Sequence, residues 1–280
     1  MRQRTSLTLG IITAGALLMP LAPPAADGSV IVYSNDFTND ALADFQSSGT
    51  RAELGYDATG GLNGTGAIYA IRTDNTLRAG ILANDVAGTR TNINTYSFND
   101  MPTFTTTAVM YYIGQAQQAF ATGISTDGVD WTGTVDDSSF NLVSRDNKLF
   151  RLRVYEDSDD HTSAKQVLGD AGSVATDQWY EFTSTWTWLG GNDFQVTGSL
   201  QELGVDGDTP GDIVVSLDTT TSNIHMDGDT VPWFGIGAFG DFGRGVRYID
   251  SLTVTAVPEP TSLALLGAAG LAMMMRRRRS

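Results

Sequence analysis

The sequence contains no cysteine and only two histidines. Without cysteine the chain cannot form disulfide bonds, a zinc site with thiolate ligands or a cysteine nucleophile. The two histidines, His161 and His225, lie in polar segments, and no Gly-x-Ser-x-Gly motif supplies the nucleophile of a Ser-His-Asp triad. We therefore interpret both histidines as solvated loop residues.

Glutamate is also scarce, because residues 27–256 contain only Glu53, Glu156, Glu181 and Glu202. A glycosidase needs two carboxyl groups that converge on one glycosidic bond, and no two of these glutamates stand at alternate positions of a strand-like run. The sequence therefore predicts no enzyme active site. A secreted hydrolase that acts on polysaccharide through an unrecognised pair of aspartates is the alternative.

Basic residues are few outside the two ends of the chain. Six of the 17 Lys and Arg residues lie in residues 1–26 and 257–280, which leaves 11 bases against 31 acids in the body, a net charge of about −20. A surface this acidic repels nucleic-acid phosphates and anionic lipid headgroups. We expect no nucleic-acid partner, and we favour divalent cations or neutral glycans.

The first 26 residues have the order of a secretory signal peptide. Arg2 and Arg4 precede an apolar run at 7–18, and small residues follow at 22–26. An apolar run this short does not span a hydrocarbon core of about 30 Å as a helix. The pattern predicts export and cleavage after Ala25 or Ala26, and a helix of the mature domain is the alternative.

The last 24 residues combine three features in a fixed order. Val257 precedes Pro258, Glu259 and Pro260, residues 261–275 are almost all apolar or small, and the chain ends with a basic cluster. The two prolines disfavour both helix and sheet, so the segment between them is extended and accessible. The basic cluster is expected to stay on the cytoplasmic side of a membrane. It consists of Arg276, Arg277, Arg278 and Arg279.

This order of motif, apolar segment and arginines resembles the PEP-CTERM sorting signal. The resemblance implies recognition of Pro258, Glu259 and Pro260 by an exosortase, a membrane protease, after transient membrane insertion of the apolar segment. It also implies release of the body to the cell surface or to an exopolysaccharide matrix. The expected organisation is therefore a signal peptide at 1–26, one domain at 27–256 and a sorting signal at 257–280. An uncleaved single-span anchor is the alternative.

The body between the two ends has the composition of antiparallel β-structure. Short runs rich in Val, Ile, Thr, Tyr, Phe and Trp alternate with clusters of Gly, Asn and Asp. Turn sequences at 126–128, 190–193 and 204–207 predict hairpins, and the one helix-like segment is 40–46. The predicted fold class is an all-β antiparallel sandwich with few or no helices. The predicted strands are 30–33, 67–72, 103–113, 118–125, 139–143, 148–156, 179–188, 193–200, 212–217, 233–239 and 247–255.

Two of these runs alternate clearly between apolar and polar residues. In 149–155 the residues Phe150, Leu152 and Val154 share one face, which we expect to be buried. In 179–188 the expected core face consists of Tyr180, Phe182, Ser184, Trp186 and Trp188. The opening, central and closing segments at 33–37, 179–182 and 248–254 resemble concanavalin A-like, or LamG-like, jelly rolls. That resemblance implies pairing of the first and last strands.

Two sets of residues are candidates for ligand binding. Trp131 and Trp233 lie next to aspartates, an arrangement suited to a sugar ring that stacks on an aromatic face while carboxylates accept hydroxyl hydrogen bonds. Burial in the core is the alternative for both tryptophans. Closely spaced aspartates offer hard oxygen ligands for calcium, with ordinary acidic turns as the alternative. The calcium candidates are Asp206, Asp208, Asp212, Asp227 and Asp229.

Together these features predict an exported, non-catalytic protein of the cell surface or extracellular matrix. Exosortase is the expected processing partner, and exopolysaccharide or another glycan is the expected ligand. A purely structural matrix component without a small ligand is a further alternative. Neither the ligand nor the oligomeric state follows from the sequence.

Overall fold

The computed structural model describes a β-sandwich built from two eight-stranded sheets. The described residues are 29–48, 52–72, 79–83, 97–113, 119–125, 137–145, 149–155, 166–168, 172–207, 209–221, 233–239 and 246–258. Among these residues all strand pairs are antiparallel and no α-helix occurs. Two three-residue 3-10 helices, Leu42–Asp44 and Leu62–Gly64, are the remaining regular elements of this part of the chain.

Sheet A contains the longest strands and both terminal strands. Its order is β14-β13-β12-β6-β16-β4-β3, and β1 pairs with the half of β16 that β4 leaves free. Its strands are β1 Val30–Asn35, β3 Ala52–Asp57, β4 Ala67–Arg72, β6 Thr103–Tyr112, β12 Gln178–Gly190, β13 Asp193–Gly204, β14 Ile213–Thr221 and β16 Val246–Val257.

Sheet B lies across the core from sheet A. Its order is β10-β9-β8-β7-β15-β5-β2, and β11 also pairs with β9. Its strands are β2 Phe45–Ser48, β5 Ala79–Ala83, β7 Ala119–Ser125, β8 Asp137–Arg145, β9 Leu149–Tyr155, β10 Gln166–Leu168, β11 Gly172–Ser173 and β15 Trp233–Phe239.

The expected all-β antiparallel sandwich is confirmed, and so are all eleven predicted strands. The three turn sequences join paired neighbours, β7 to β8, β12 to β13 and β13 to β14. The first and last strands pair as the resemblance implied, with Val30 opposite Ala256 and Ser34 opposite Thr253. The helix-like segment at 40–46 forms only a short turn of helix. A single 3-10 turn occupies 42–44, and Phe45 starts β2 because its ring packs against Tyr33 and Phe37 in the core.

The expected core faces are also confirmed where side chains are described. Leu152 and Val154 are fully buried, and β12 alternates between buried and half-buried residues from Tyr180 to Thr187. Trp179 is the exception: it belongs to the outward set but is buried, because a bulge separates it from Tyr180 and its ring packs on Tyr111 at 5.1 Å.

Aromatic rings fill one part of the space between the sheets. Phe104 lies at the centre, 4.7 Å from Phe234 of sheet B and stacked on Trp186 at 6.2 Å between ring centroids. Edge-on contacts join Phe194 to both Trp186 and Phe98. All five side chains are at most 1% exposed. We call this group the aromatic layer: Phe98, Phe104, Trp186, Phe194 and Phe234.

Candidate functional site

Several strands of sheet B have a terminus at the same end of the sheet. Ser125, the last residue of β7, pairs with Trp233, the first residue of β15, and with Asp137, the first residue of β8. Tyr155, the last residue of β9, pairs with Ser139, two residues inside β8. We call this end, formed by Ser125, Asp137, Tyr155 and Trp233, the acidic end of sheet B.

The sequence segments attached to the acidic end are rich in carboxylates. One segment, 126–136, follows Ser125, a second, 156–165, follows Tyr155, and a third, 222–232, precedes Trp233. Together the three segments contain nine acidic residues and one lysine. These segments lie outside the described residues, and so do Trp131, Asp227 and Asp229. The described strand ends to which these segments are attached, at Ser125, Asp137, Tyr155 and Trp233, lie at one end of sheet B.

Trp233 is the sequence-predicted ligand-binding residue whose backbone position is described. It occupies the first position of β15 and pairs with Ser125 of β7, whereas β5 pairs with β15 from Gly235 onward. Phe234, the next residue, is 1% exposed and belongs to the aromatic layer. The start of β15 is therefore anchored in the core, so the backbone at Trp233 has a rigid base.

The calcium candidates on the β13–β14 turn are described in part. Asp206 and Asp212 are exposed, and the turn is closed by backbone bonds from Gly211 N to the Glu202 carbonyl at 2.7 Å and from Glu202 N to the Asp212 carbonyl at 3.1 Å. Asp208 lies outside the described residues. Within the part of the chain that the structure describes, no three His, Asp or Glu side chains come close enough to hold a metal ion.

Asp250 of β16 is a half-buried, hydrogen-bonded carboxylate that was not among the candidates from the sequence. Its Oδ1 accepts hydrogen bonds from the Leu62 backbone N–H at 2.7 Å and from the Thr65 hydroxyl at 3.0 Å. Burial of the half-buried carboxyl raises its pKa above the ordinary value of 3.8, the two hydrogen bonds oppose this shift, and the nearby Asp36 charge adds to it. Two hydrogen-bond donors and no described base or nucleophile make this a structural contact.

The partner of Asp250 is a tight loop at residues 57–66, which we call the glycine loop. Four glycines lie within residues 60–66, and a Cβ atom at Gly66 would overlap the Phe37 carbonyl oxygen, which is why glycine is needed there. Tyr248 closes the other side, because its hydroxyl donates to Asp57 at 2.8 Å. The run of glycines was the one sequence signal for this loop, and the carboxylate that holds it is 188 positions away.

The sorting residues follow the fold directly. Strand β16 continues to Val257, which pairs with Thr103, and Pro258 is the next residue. Glu259, Pro260 and the arginines at 276–279 lie outside the described residues. None of the helices described here has the length and apolar character to cross a membrane, and the apolar stretch 261–275 is not among the described residues.

Comparison with known proteins identifies the end of the chain and the fold of its body. Residues 256–279 match the PEP-CTERM protein-sorting motif. No curated protein sequence matches the chain.

Three solved structures illustrate the fold. Peanut lectin in complex with a nine-residue peptide has a TM-score of 0.50 at 12% identity, over 82% of this chain and 98% of the lectin. A protein of unknown function from Shewanella oneidensis MR-1 scores 0.49 at 16% identity, over 87% and 96% of the two chains. An alginate lyase of family PL-14 from Aplysia kurodai scores 0.45 at 11% identity, over 81% and 97%. The body has a concanavalin A-like jelly-roll fold.

Proposed function

We propose that this chain is an exported, non-catalytic protein of the cell surface or extracellular matrix that binds carbohydrate at the acidic end of sheet B. The observation that carries the proposal is the pairing of Ser125 with Trp233, the strand ends from which segments 126–136 and 222–232 extend, in a lectin-like fold. The PEP-CTERM motif supports export and processing by an exosortase.

The proposed chemistry uses aromatic faces and carboxylates together. Trp131 and Trp233 would offer ring faces to the apolar side of a pyranose, and neighbouring aspartates would accept hydrogen bonds from its hydroxyl groups. Asp227 and Asp229 are the proposed calcium ligands near this edge, and an ion there would also coordinate sugar hydroxyls. Asp206, Asp208 and Asp212 form a separate proposed site, because strand β14 stands between the two groups. The high negative charge favours neutral or amino sugars over uronic acids.

Binding is tested with the full-length chain in mild detergent on an array of neutral, amino and acidic glycans. We expect Trp233→Ala and Trp131→Ala to weaken binding of the captured glycan at least tenfold, and Trp233→Phe to retain most of it because a phenyl ring still stacks. Equal binding by all variants would contradict the role of the tryptophans. Release of new reducing ends from the bound glycan would instead favour the hydrolase.

Calcium is tested on the same protein by thermal unfolding with and without EDTA. A ligand that binds only the folded state raises the midpoint of unfolding, and the gain in free energy of unfolding grows with the logarithm of the ratio of ligand concentration to Kd. We expect EDTA to lower the melting temperature by several degrees and Asp227→Asn/Asp229→Asn to reduce that difference, the remainder coming from the site on the β13–β14 turn. An unchanged melting temperature would remove calcium from the proposal without affecting glycan binding through the tryptophans.

The proposed organisation has three parts: a signal peptide at 1–26, the sandwich at 27–256 and the sorting signal at 257–280. After processing, the body would stand at the cell surface or in an exopolysaccharide matrix. Mass spectrometry of the mature protein tests both ends. Glu259→Ala and replacement of Arg276–Arg279 by Gln should leave the C-terminal segment attached, whereas Glu202→Ala should not affect processing.

A further inference from the structure

The outer face of sheet A carries many serine and threonine side chains, which lie opposite one another on neighbouring strands. One row crosses six neighbouring strands, and every position of that row is a serine or threonine. The strands are β14, β13, β12, β6, β16 and β1 in that order. The row consists of Ser216, Ser199, Thr183, Thr107, Thr253 and Ser34.

Two further rows run beside the first. The second contains four threonines between Asp218 and Ile31, and the third contains three threonines with Gln195 and Val257. Together the three rows form what we call the threonine face. Its added threonines are Thr197, Thr185, Thr105 and Thr255 in the second row, and Thr220, Thr187 and Thr103 in the third.

The strand pattern directs these side chains away from the core. In β6, Phe104 and Thr106 are buried whereas Thr103, Thr105 and Thr107 are half-buried, and β12 and β16 alternate in the same way. Neighbouring strands are about 4.8 Å apart and alternate residues about 6.8 Å apart, so the hydroxyl groups form a regular grid. The six-strand row is then about 24 Å long.

Hydrogen bonds between threonines hold the grid in place. Thr105 and Thr185 are 2.8 Å apart, Thr103 donates to Thr187 at 3.1 Å, and Ser34 and Thr253 are 3.1 Å apart. A hydroxyl has one donor and two acceptor positions, so a bonded pair can still accept from a ligand. Threonine is also stiff about its first side-chain torsion, so a ligand costs little side-chain entropy here.

The charge of this face differs from that of the rest of the protein. Asp218, at the edge, is the one charged residue among the 17 positions of the three rows, although the chain has 32 acids and 17 Lys and Arg residues. Charge resumes in the next row, where Glu181 faces Val109 and Gln201. A neutral patch on an acidic protein favours a neutral partner, because no charge is desolvated and an anionic polymer is still repelled by the surroundings.

We propose that the threonine face binds an extended neutral polysaccharide that lies across the strands. The strand spacing is close to the length of one pyranose residue, so successive sugars meet successive hydroxyls, while threonine methyl groups contact the C–H side of the ring. The inference takes its ligand class from the proposed function but locates a second surface on the opposite sheet. The acidic end of sheet B would hold a short segment or chain end, and the threonine face a long chain.

The test measures co-sedimentation of the full-length chain with insoluble cellulose and chitin, with alginate beads as the anionic comparison. Thr107→Val/Thr183→Val removes two hydroxyls from the longest row and keeps shape and strand propensity. We expect at least tenfold weaker binding to the neutral polymer that the wild type binds, with a melting temperature within a few degrees of wild type. Thr107→Glu/Thr183→Glu should bind still less. Thr209→Val, in the β13–β14 turn, is the matched control and should bind as the wild type does.

Each other outcome overturns the proposal in a distinguishable way. Unchanged binding by the valine variant shows that the face is not the contact, and if Trp131→Ala/Trp233→Ala alone abolishes binding, the proposed function stands without the second surface. If the wild type binds no glycan in either assay, both proposals fail. If the valine variant only converts a dimer to a monomer in analytical ultracentrifugation, the face joins two copies of the chain instead.

Discussion

The aromatic layer and the glycine loop are two parts of one fold held by opposite kinds of interaction. In the aromatic layer, rings from both sheets pack within 4.7 to 6.2 Å of one another between centroids and exclude water. In the glycine loop, by contrast, every described side chain is half-buried or exposed. Hydrogen bonds to strand β16 hold this loop in place. Asp250 accepts from the Leu62 N–H and the Thr65 hydroxyl, and the Tyr248 hydroxyl donates to Asp57.

The difference between these regions concerns how each responds to change. Apolar contacts carry no charge, so the stability of the aromatic layer should be nearly independent of pH and proportional to the volume removed. The glycine loop depends on a few directional bonds to carboxylates, so it should respond to protonation and to loss of single acceptors. Variants within each region therefore distinguish the two kinds of interaction.

Truncation of the central ring should have the largest effect on the free energy of unfolding. Phe104→Ala removes contacts to Phe98, Trp186 and Phe234 and leaves a cavity between two rigid sheets, at a cost of about 3–5 kcal/mol. Urea unfolding followed by tryptophan fluorescence measures it. Phe104→Leu refills part of the space and should lose clearly less. A loss below about 1 kcal/mol for alanine would show that the layer can collapse around the gap.

Removal of the acceptor under the glycine loop should have an intermediate effect. Asp250→Ala leaves the Leu62 N–H and the Thr65 hydroxyl without their acceptor, at a cost of about 1–3 kcal/mol. Asp250→Asn keeps a carbonyl oxygen in the same place and removes the buried charge, so it should lose much less at pH 7. Equal losses for the two variants would mean that the charge, and not the acceptor, holds the loop.

Asp250 should also give the folded protein a recognisable pH dependence. Burial raises its folded pKa above 3.8, so between the two values the folded state binds more protons than the unfolded state. The contribution of Asp250 to the free energy of unfolding therefore falls as pH rises through this interval and is lowest at neutral pH. The wild-type curve minus the Asp250→Asn curve isolates it. A difference that rises with pH would contradict the assignment.

The sequence predicts the strands in which apolar and polar residues alternate or β-branched and aromatic residues are frequent. It does not predict strands that lack these local features. Strands β9 and β12 alternate between apolar and polar residues, so their core faces could be predicted. Strand β3, Ala-Glu-Leu-Gly-Tyr-Asp, and strand β5, Ala-Gly-Ile-Leu-Ala, contain glycine and few β-branched residues. Pairing with β4 and β15 decides their conformation, and that pairing is not visible in either segment alone.

The candidate sites show the same limit. Trp131 and Trp233 could be chosen one by one, but the pairing of Ser125 with Trp233 depends on the register of β7 with β15, which neither segment reveals. The threonines at 103, 105 and 107 and at 183, 185 and 187 are visible as period-two runs, whereas their alignment into rows requires the β6–β12 register. Asp250 has no local signal at all, since its donors come from a distant loop. The sequence therefore shows which residue types are available, whereas the strand register decides which of these residues lie next to one another.

The smallest predicted effect concerns one of the three buried side-chain polar atoms that have no hydrogen-bond partner among the described residues: the Thr106 hydroxyl, the Trp186 indole N–H and the Thr221 hydroxyl. The Thr106 hydroxyl, beside Phe104 on β6, is buried and has no hydrogen-bond partner among the described residues. Thr106→Val keeps shape and strand propensity and removes this desolvated hydroxyl, so it should stabilise the fold by about 1 kcal/mol.

The neighbouring pair provides the matched control for that substitution. Thr122 of β7 and Ser184 of β12 are 2.6 Å apart and bond the two sheets together across the core. Thr122→Val makes the same chemical change but leaves the Ser184 hydroxyl without this partner, so it should destabilise by about 1–3 kcal/mol. Opposite signs for two identical substitutions would show that hydrogen bonding, and not polarity itself, decides what the core tolerates. If both variants lose stability, Thr106 has a partner such as a buried water molecule, and the core contains a second polar link.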